Sequence, residues 1–111
     1  MSGDLNVRSY VTADGHEPFV EWLNRLKDHN ARAAIKMRIA RARVGNLGDH
    51  KHIGDGVNEL RIHYGPGYRV YFGRDGETIV ILLCGGDKGS QQRDMARAKQ
   101  FWDDYRRRTD D

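Results

Sequence analysis

An α+β domain is what this sequence predicts, and three observations carry that expectation. Apolar side chains recur at helical spacing before Gly45, strand-type alternation runs between Glu59 and Phe72, and a further helical stripe follows Gly86. The expected architecture is two N-terminal helices packed on an antiparallel sheet, with a C-terminal helix, in a single domain spanning residues 1–111.

Taken in order, Arg8 to Val11 reads as a short first strand. Glu17-Pro18 opens a helix, because proline is tolerated in a first turn and acidic side chains suit the positive end of the helix dipole. Phe19, Trp22, Leu23 and Leu26 recur on one face and define its buried stripe. Asp28-His29-Asn30 breaks that helix. A second runs from Ala31 to about Val44 with Ile35, Ile39 and Ala42 inward, until Gly45, Asn46 and Gly48 end it. The short turn between the helices predicts an antiparallel pair.

The middle of the chain is β. Leu60, Ile62 and Tyr64 alternate with Glu59, Arg61 and His63; Gly65-Pro66-Gly67 is a turn signal; Tyr68, Val70 and Phe72 then alternate with Arg69 and Tyr71. Asp75-Gly76 marks the next turn. The apolar run Ile79 to Cys84 lacks alternation, as a central strand covered on both faces does, and Gly85-Gly86 ends it. The last helix begins near Ser90, carries Met95, Ala98, Trp102 and Tyr105 on one side, and ends in Arg106-Arg107-Arg108 at its negative terminus.

Composition narrows the class further. Charged residues make up 32% of the chain and hydrophobic residues 38%, enough for a core beneath a heavily charged surface. No apolar run approaches a membrane span, and Met1 to Asp4 lacks the start of a signal peptide. Cys84 is the only cysteine, so no internal disulfide forms, and a cytoplasmic protein is expected. The net charge is only +3, but it is unevenly spread. Arg25 to Arg43 holds seven basic residues against Asp28 alone, and Lys88 to Arg108 holds seven against Asp94, Asp103 and Asp104. Such clusters suit a polyanion partner, or equally two solvated helix faces.

Hairpin geometry sharpens the first alternative. A three-residue loop over Gly65 to Gly67 sets Tyr64 opposite Tyr68, Ile62 opposite Val70 and Leu60 opposite Phe72 as a core face. His63 then faces Arg69 and Arg61 faces Tyr71 on the other side of the sheet. That grouping suits RNA cleavage by the ribose 2′-hydroxyl, which needs a base, cations for the charge on phosphorus, and an acid for the leaving oxygen. Arginine recognises phosphate but shuttles protons poorly, whereas histidine titrates near neutrality, so His63 is the candidate proton carrier. Lys88 adds a cation just past the apolar strand. Charge alone favours the plainer account, in which Arg61 and Arg69 pair with Glu59 and Glu77 as solvated surface.

The strings ELRIHYGPGYRVYF (Glu59 to Phe72) and IVILLCGGDKGSQ (Ile79 to Gln91) resemble the RelE/HigB-like "addiction module killer" toxins. EPFVEWLNRLKD (Glu17 to Asp28), the basic segment Ala31 to Lys51 and the last helix follow in the same order, so the resemblance covers nearly the whole chain. It implies a RelE-like fold and a type II toxin that cleaves ribosome-bound mRNA in the decoding site without a metal or other cofactor. By motif position it assigns phosphate or catalytic roles to Arg61, Arg69 and Lys88, and His63 stands where some relatives carry lysine. Lys51, Tyr71 and Arg93 complete the expected RNA contacts. The implied partner is a helix-turn-helix antitoxin. One departure stands out: where relatives often carry a tyrosine or histidine near the start of the last helix, this chain has Gln91, Gln92, Arg93 and Asp94. The competing readings are a gyrase poison of the ParE branch and a catalytically inactive binding module.

Other motifs weigh less. Gly85 to Ser90 lacks the spacing of a phosphate-binding P-loop. Asp49, His50 and His52 form a weak metal signal, with no metal expected, and Lys51 beside them reads better as a phosphate contact. Phe19, Trp22 and Trp102 read as core, and Cys84 as an inert buried thiol.

Overall fold

The helices and strands of the computed structural model assemble in the order β1 (Asn6–Ser9), α1 (Pro18–Arg25), α2 (His29–Arg43), β2 (His50–Gly54), β3 (Val57–Ile62), β4 (Tyr68–Asp75), β5 (Ile79–Asp87), a single 3₁₀ turn (Lys88–Ser90) and α3 (Gln91–Thr109). Residues 3–109 are described; Met1 and the tail beyond Thr109, on which some sequence expectations fall, lie outside the described residues. The five strands form one sheet in the order β1-β5-β4-β3-β2. No helix among the described residues is long and apolar enough to cross a membrane.

The α+β class holds, with two corrections to the architecture. First, the sheet is mixed rather than antiparallel, because β1 runs parallel to β5 from Asn6 opposite Ile79 to Ser9 opposite Leu82. A parallel pair needs a long connection, and two helices and three strands intervene here. Second, the helix arrangement differs from an antiparallel N-terminal pair. The first strand expected at Arg8 to Val11 forms at Asn6–Ser9, but the helices do not pair on one another: α1 lies on β5, while α2 rests against β1 and β3. Each helix therefore buries its stripe on the sheet and not chiefly on its neighbour. Asp28 begins α2 as much as it breaks α1, its carboxylate accepting from the backbone N–H groups of Asn30 and Ala31.

Strand β2 has no counterpart in the sequence reading. His50 to Gly54 offers no apolar alternation because it forms an exposed edge, where charged and polar side chains are the norm.

Two cores sandwich the sheet. Phe19, Leu23, Ile35 and Ile39 pack on Leu60, Ile62, Val70, Phe72 and Leu82 on one face. On the other, Ala98 and Trp102 of α3 pack on Val57, Tyr71, Ile81, Leu83 and Cys84. Strand β5 contributes to both, which is why its sequence does not alternate. Its end explains the paired glycines. A side chain at Gly85 would stand 2.3 Å from the Trp22 ring of α1, and one at Gly86 would stand 1.8 Å from the Asp94 carboxylate of α3. One glycine serves each face. Gly85→Ala therefore displaces a rigid ring and costs about 1–3 kcal/mol, read as a melting temperature lower by about 5–15 °C. An unchanged melting temperature would mean that Trp22 does not pack there.

Candidate functional site

The β3–β4 hairpin builds the site, and its register departs from the expected one by two residues. Ile62 pairs with Tyr68, Leu60 with Val70, Arg61 with Arg69 and Glu59 with Tyr71. Side chains alternate with a period of two, so this shift preserves the faces while exchanging the partners. The loop is longer than the three residues expected because Tyr64 leaves the strand. Its hydroxyl donates to the Asp28 carboxylate at 3.0 Å, and its carbonyl accepts from Gly67 in a tight turn. That hydroxyl bond holds the Asp28 carboxyl below its usual range.

Two arginines directly opposite one another repel. Glu59 resolves the conflict from the same face of β3. One of its carboxylate oxygens accepts from Nε of Arg61 and Nε of Arg69, each at 3.0 Å, and the other accepts from the Gln91 amide of α3 at 3.2 Å. The Glu59 side chain is 1% exposed, against 34% for Arg61 and 14% for Arg69. The arginines do pair with Glu59, as the solvated-surface alternative has it, but the carboxylate they share is buried. Glu77 takes no part: its carbonyl accepts from Arg74. Because each arginine spends its Nε–H on Glu59, the terminal edges of both guanidinium groups stay available to an anion. Arg61 is held firmly charged by this bond.

An open cleft of about 450 Å³ lies over this pair. Arg61, His63, Arg69 and Lys88 all line it, along with the Gly65 to Gly67 turn. His63 sits in the loop, well exposed, with Nε2 at 2.6 Å from the Asp49 carboxylate. An ionised carboxylate only accepts, so Nε2 is the donor to Asp49, and whenever the ring is neutral Nδ1 keeps its lone pair. The same bond, reinforced by Arg61 and Arg38, holds Asp49 below the ordinary carboxylate range. Arg38 of α2 ties this corner to the helix, donating to the carbonyls of Arg61 (3.2 Å) and Asp49 (3.0 Å).

Asp49 thus pairs with His63, and among the described residues no group of three His, Cys, Asp or Glu side chains converges around it. Because the folded pKa of Asp49 is lowered, its contribution to stability is present above the ordinary carboxylate pKa and is lost as pH falls through the lowered value. His63→Ala should raise the Asp49 titration midpoint, followed by carbon NMR, toward the ordinary range, with Arg61 and Arg38 still holding it somewhat low. An unmoved midpoint would show that the pair does not form in solution.

The remaining assigned residues scatter. Tyr71 is fully buried in the α3-side core, its hydroxyl without a hydrogen-bond partner among the described residues, so it is not part of the surface patch. Burial, with the Glu59 and Asp94 charges adding to it, pushes its phenol pKa upward. Lys51 is exposed on β2 opposite Glu59, on the same face of the sheet, but is not among the residues that line the cleft. Arg93 lines a separate groove on α3 that meets the cleft at Lys88. Asp87 and Ser90 cap the turn that presents Lys88, and Ser90 also donates to buried Asp94. Sequence reasoning missed Glu59 as an anchor. The available signal was its place two residues before Arg61, on the same strand face.

Fold and site together define a small α+β domain that carries two anchored arginines, a histidine and a lysine at one end of its sheet. The chain belongs to the phage-derived protein Gp49-like family (DUF891), whose model matches residues 21–102, a family of RelE/toxin-like proteins. It is also similar to an uncharacterized protein of Haemophilus influenzae, 51% identical over 81 residues, which cover 73% of this chain and 82% of that protein.

Proposed function

We propose that this protein is the toxin of a type II toxin–antitoxin module and cleaves ribosome-bound mRNA in the cytoplasm, without a metal. Membership of a toxin-associated family supports the class. The observation that carries the chemistry is the Glu59 anchor, which sets two guanidinium groups side by side on the floor of a cleft shared with His63 and Lys88. In this reading Arg61 and Arg69 hold the scissile phosphate and bear the charge that develops on it. Nδ1 of His63 takes the proton of the ribose 2′-hydroxyl. The 2′-oxygen bonds to phosphorus, the bond to the 5′-oxygen breaks, and Lys88 supplies the proton that the leaving oxygen needs. The products are a 2′,3′-cyclic phosphate and a free 5′-hydroxyl. The partner is a helix-turn-helix antitoxin encoded by the adjacent gene.

The test is to induce the protein in cells and map mRNA 5′ ends beside an Arg61→Ala/Lys88→Ala variant. Both side chains reach solvent, so the variant keeps its fold. New ends inside reading frames, absent in the variant, are expected. Growth arrest with intact transcripts would point to gyrase instead. The burial of Tyr71 favours one second reading, a module that binds without cutting. RNA or antitoxin binding with neither arrest nor new ends would establish it.

A further inference from the structure

Helix α2 is apolar on two sides. Ala31, Ile35, Ile39 and Ala42 face the sheet and are buried. A second ridge, Ala33, Met37 and Ala40 with Val44 at the helix C-cap, runs along the opposite side and is exposed. Met37 is 59% and Val44 65% exposed, two of the three large hydrophobic side chains that stand in solvent among the described residues. The spacing of three to four residues puts these four positions on one line. Neither core uses any of them.

Lys36 and Arg41 flank the ridge, and both are exposed. Ion pairs form at His16, around Glu59, at Asp49 and along α3. The C-terminal helix makes a useful contrast, since there Arg107 and Arg108 are neutralised by Asp103 and Asp104 one turn earlier. On α2 no acidic residue lies between His29 and Arg43.

The geometry points to this outer face of α2 as the docking site of an acidic amphipathic helix from a partner protein, and on the reading above that partner is the adjacent-gene antitoxin. The alternation of small and large residues is what a crossing helix needs: Ala33 and Ala40 permit close approach, while Met37 and Val44 fill the grooves on either side. Carboxylates flanking the incoming apolar stripe would meet Lys36 and Arg41. RNA explains the cations but not the apolar ridge. A second copy explains the ridge but would bring cations against cations across a two-fold axis.

The face is separate from the cleft, so its occupant can hold the protein while the cleft stays open. This inference rests on the toxin–antitoxin reading, and the experiment separates the two. The purified adjacent-gene product is titrated by calorimetry into wild-type protein and into Met37→Glu, Arg41→Glu and Arg61→Ala, each checked for fold by circular dichroism. Met37 and Arg41 are exposed, so their replacement leaves the core intact. The expected result is binding weakened about 30-fold or more by Met37→Glu and by Arg41→Glu, and by less than about 3-fold by Arg61→Ala. Wild-type affinity in both α2 variants would overturn the docking face while leaving the antitoxin reading in place. No binding by the wild type would overturn both. A wild-type dimer that Met37→Glu dissociates, with antitoxin binding unchanged, would assign the ridge to a second copy and overturn the proposal. Loss of mRNA cleavage in Arg41→Glu with antitoxin binding unchanged would assign it to RNA, with the same consequence.

Discussion

Glu59→Ala lowers the stability of the domain by about 3–5 kcal/mol, because it leaves a buried guanidinium without its counter-charge. The cost falls mainly on Arg69, whose side chain is 14% exposed, since Arg61 can turn outward to water. In a chain of this size that loss lowers the melting temperature by well over about 10 °C. The companion experiment separates charge from packing. Replacing Glu59, Arg61 and Arg69 together by apolar residues of similar volume removes the buried charges as a set, and the protein recovers most of the lost stability. On the proposed reading both variants lack mRNA cleavage, because neither keeps the paired guanidinium groups in place. A melting temperature for Glu59→Ala within about 3 °C of wild type would show that the carboxylate does not anchor the arginines.

Arg69→Lys separates the anchor from the chemistry. Lysine keeps the positive charge near Glu59 but has no planar edge left for phosphate once it is engaged there. Messenger RNA cleavage should fall about 10²–10³-fold, the usual cost of removing one donor aimed at a developing oxyanion, while the melting temperature stays within a few degrees. The readout is the abundance of new 5′ ends in a reconstituted translation reaction. Near-wild-type cleavage would reduce Arg69 to a structural counter-ion and leave the phosphate to Arg61 and Lys88.

Much of this fold is legible in the order of residues. The stripe of α1, the inward face of α2 and the Ala98–Trp102 side of α3 all follow from helical spacing, because burial on one side leaves a periodic trace. The unbroken apolar run of β5 likewise announces two covered faces. Strand β2 leaves no such trace, since an exposed edge strand buries little and its sequence is free to be polar. The parallel pairing of β1 with β5 is invisible for another reason. It is made by residues more than 70 positions apart, and nothing local distinguishes a parallel neighbour from an antiparallel one.

The site divides along the same line. Sequence alone determined which side chains share the hairpin face: Arg61 and Arg69 stand on alternate positions of adjoining strands, and a shift of two residues cannot move them to the other side. It also determined that Lys88 follows the strand end closely enough to join them. Only the tertiary structure decided what those charges rest on. Burial of Glu59 requires α3 to cover it and Gln91 to complete its hydrogen bonds, and burial of Tyr71 comes from that same helix. Asp49 meets His63 because β2 brings the end of one loop beside the start of another. Alternation along a strand is written into each residue's position. Depth beneath the surface belongs to whatever segment folds over it, and that segment is remote in the chain.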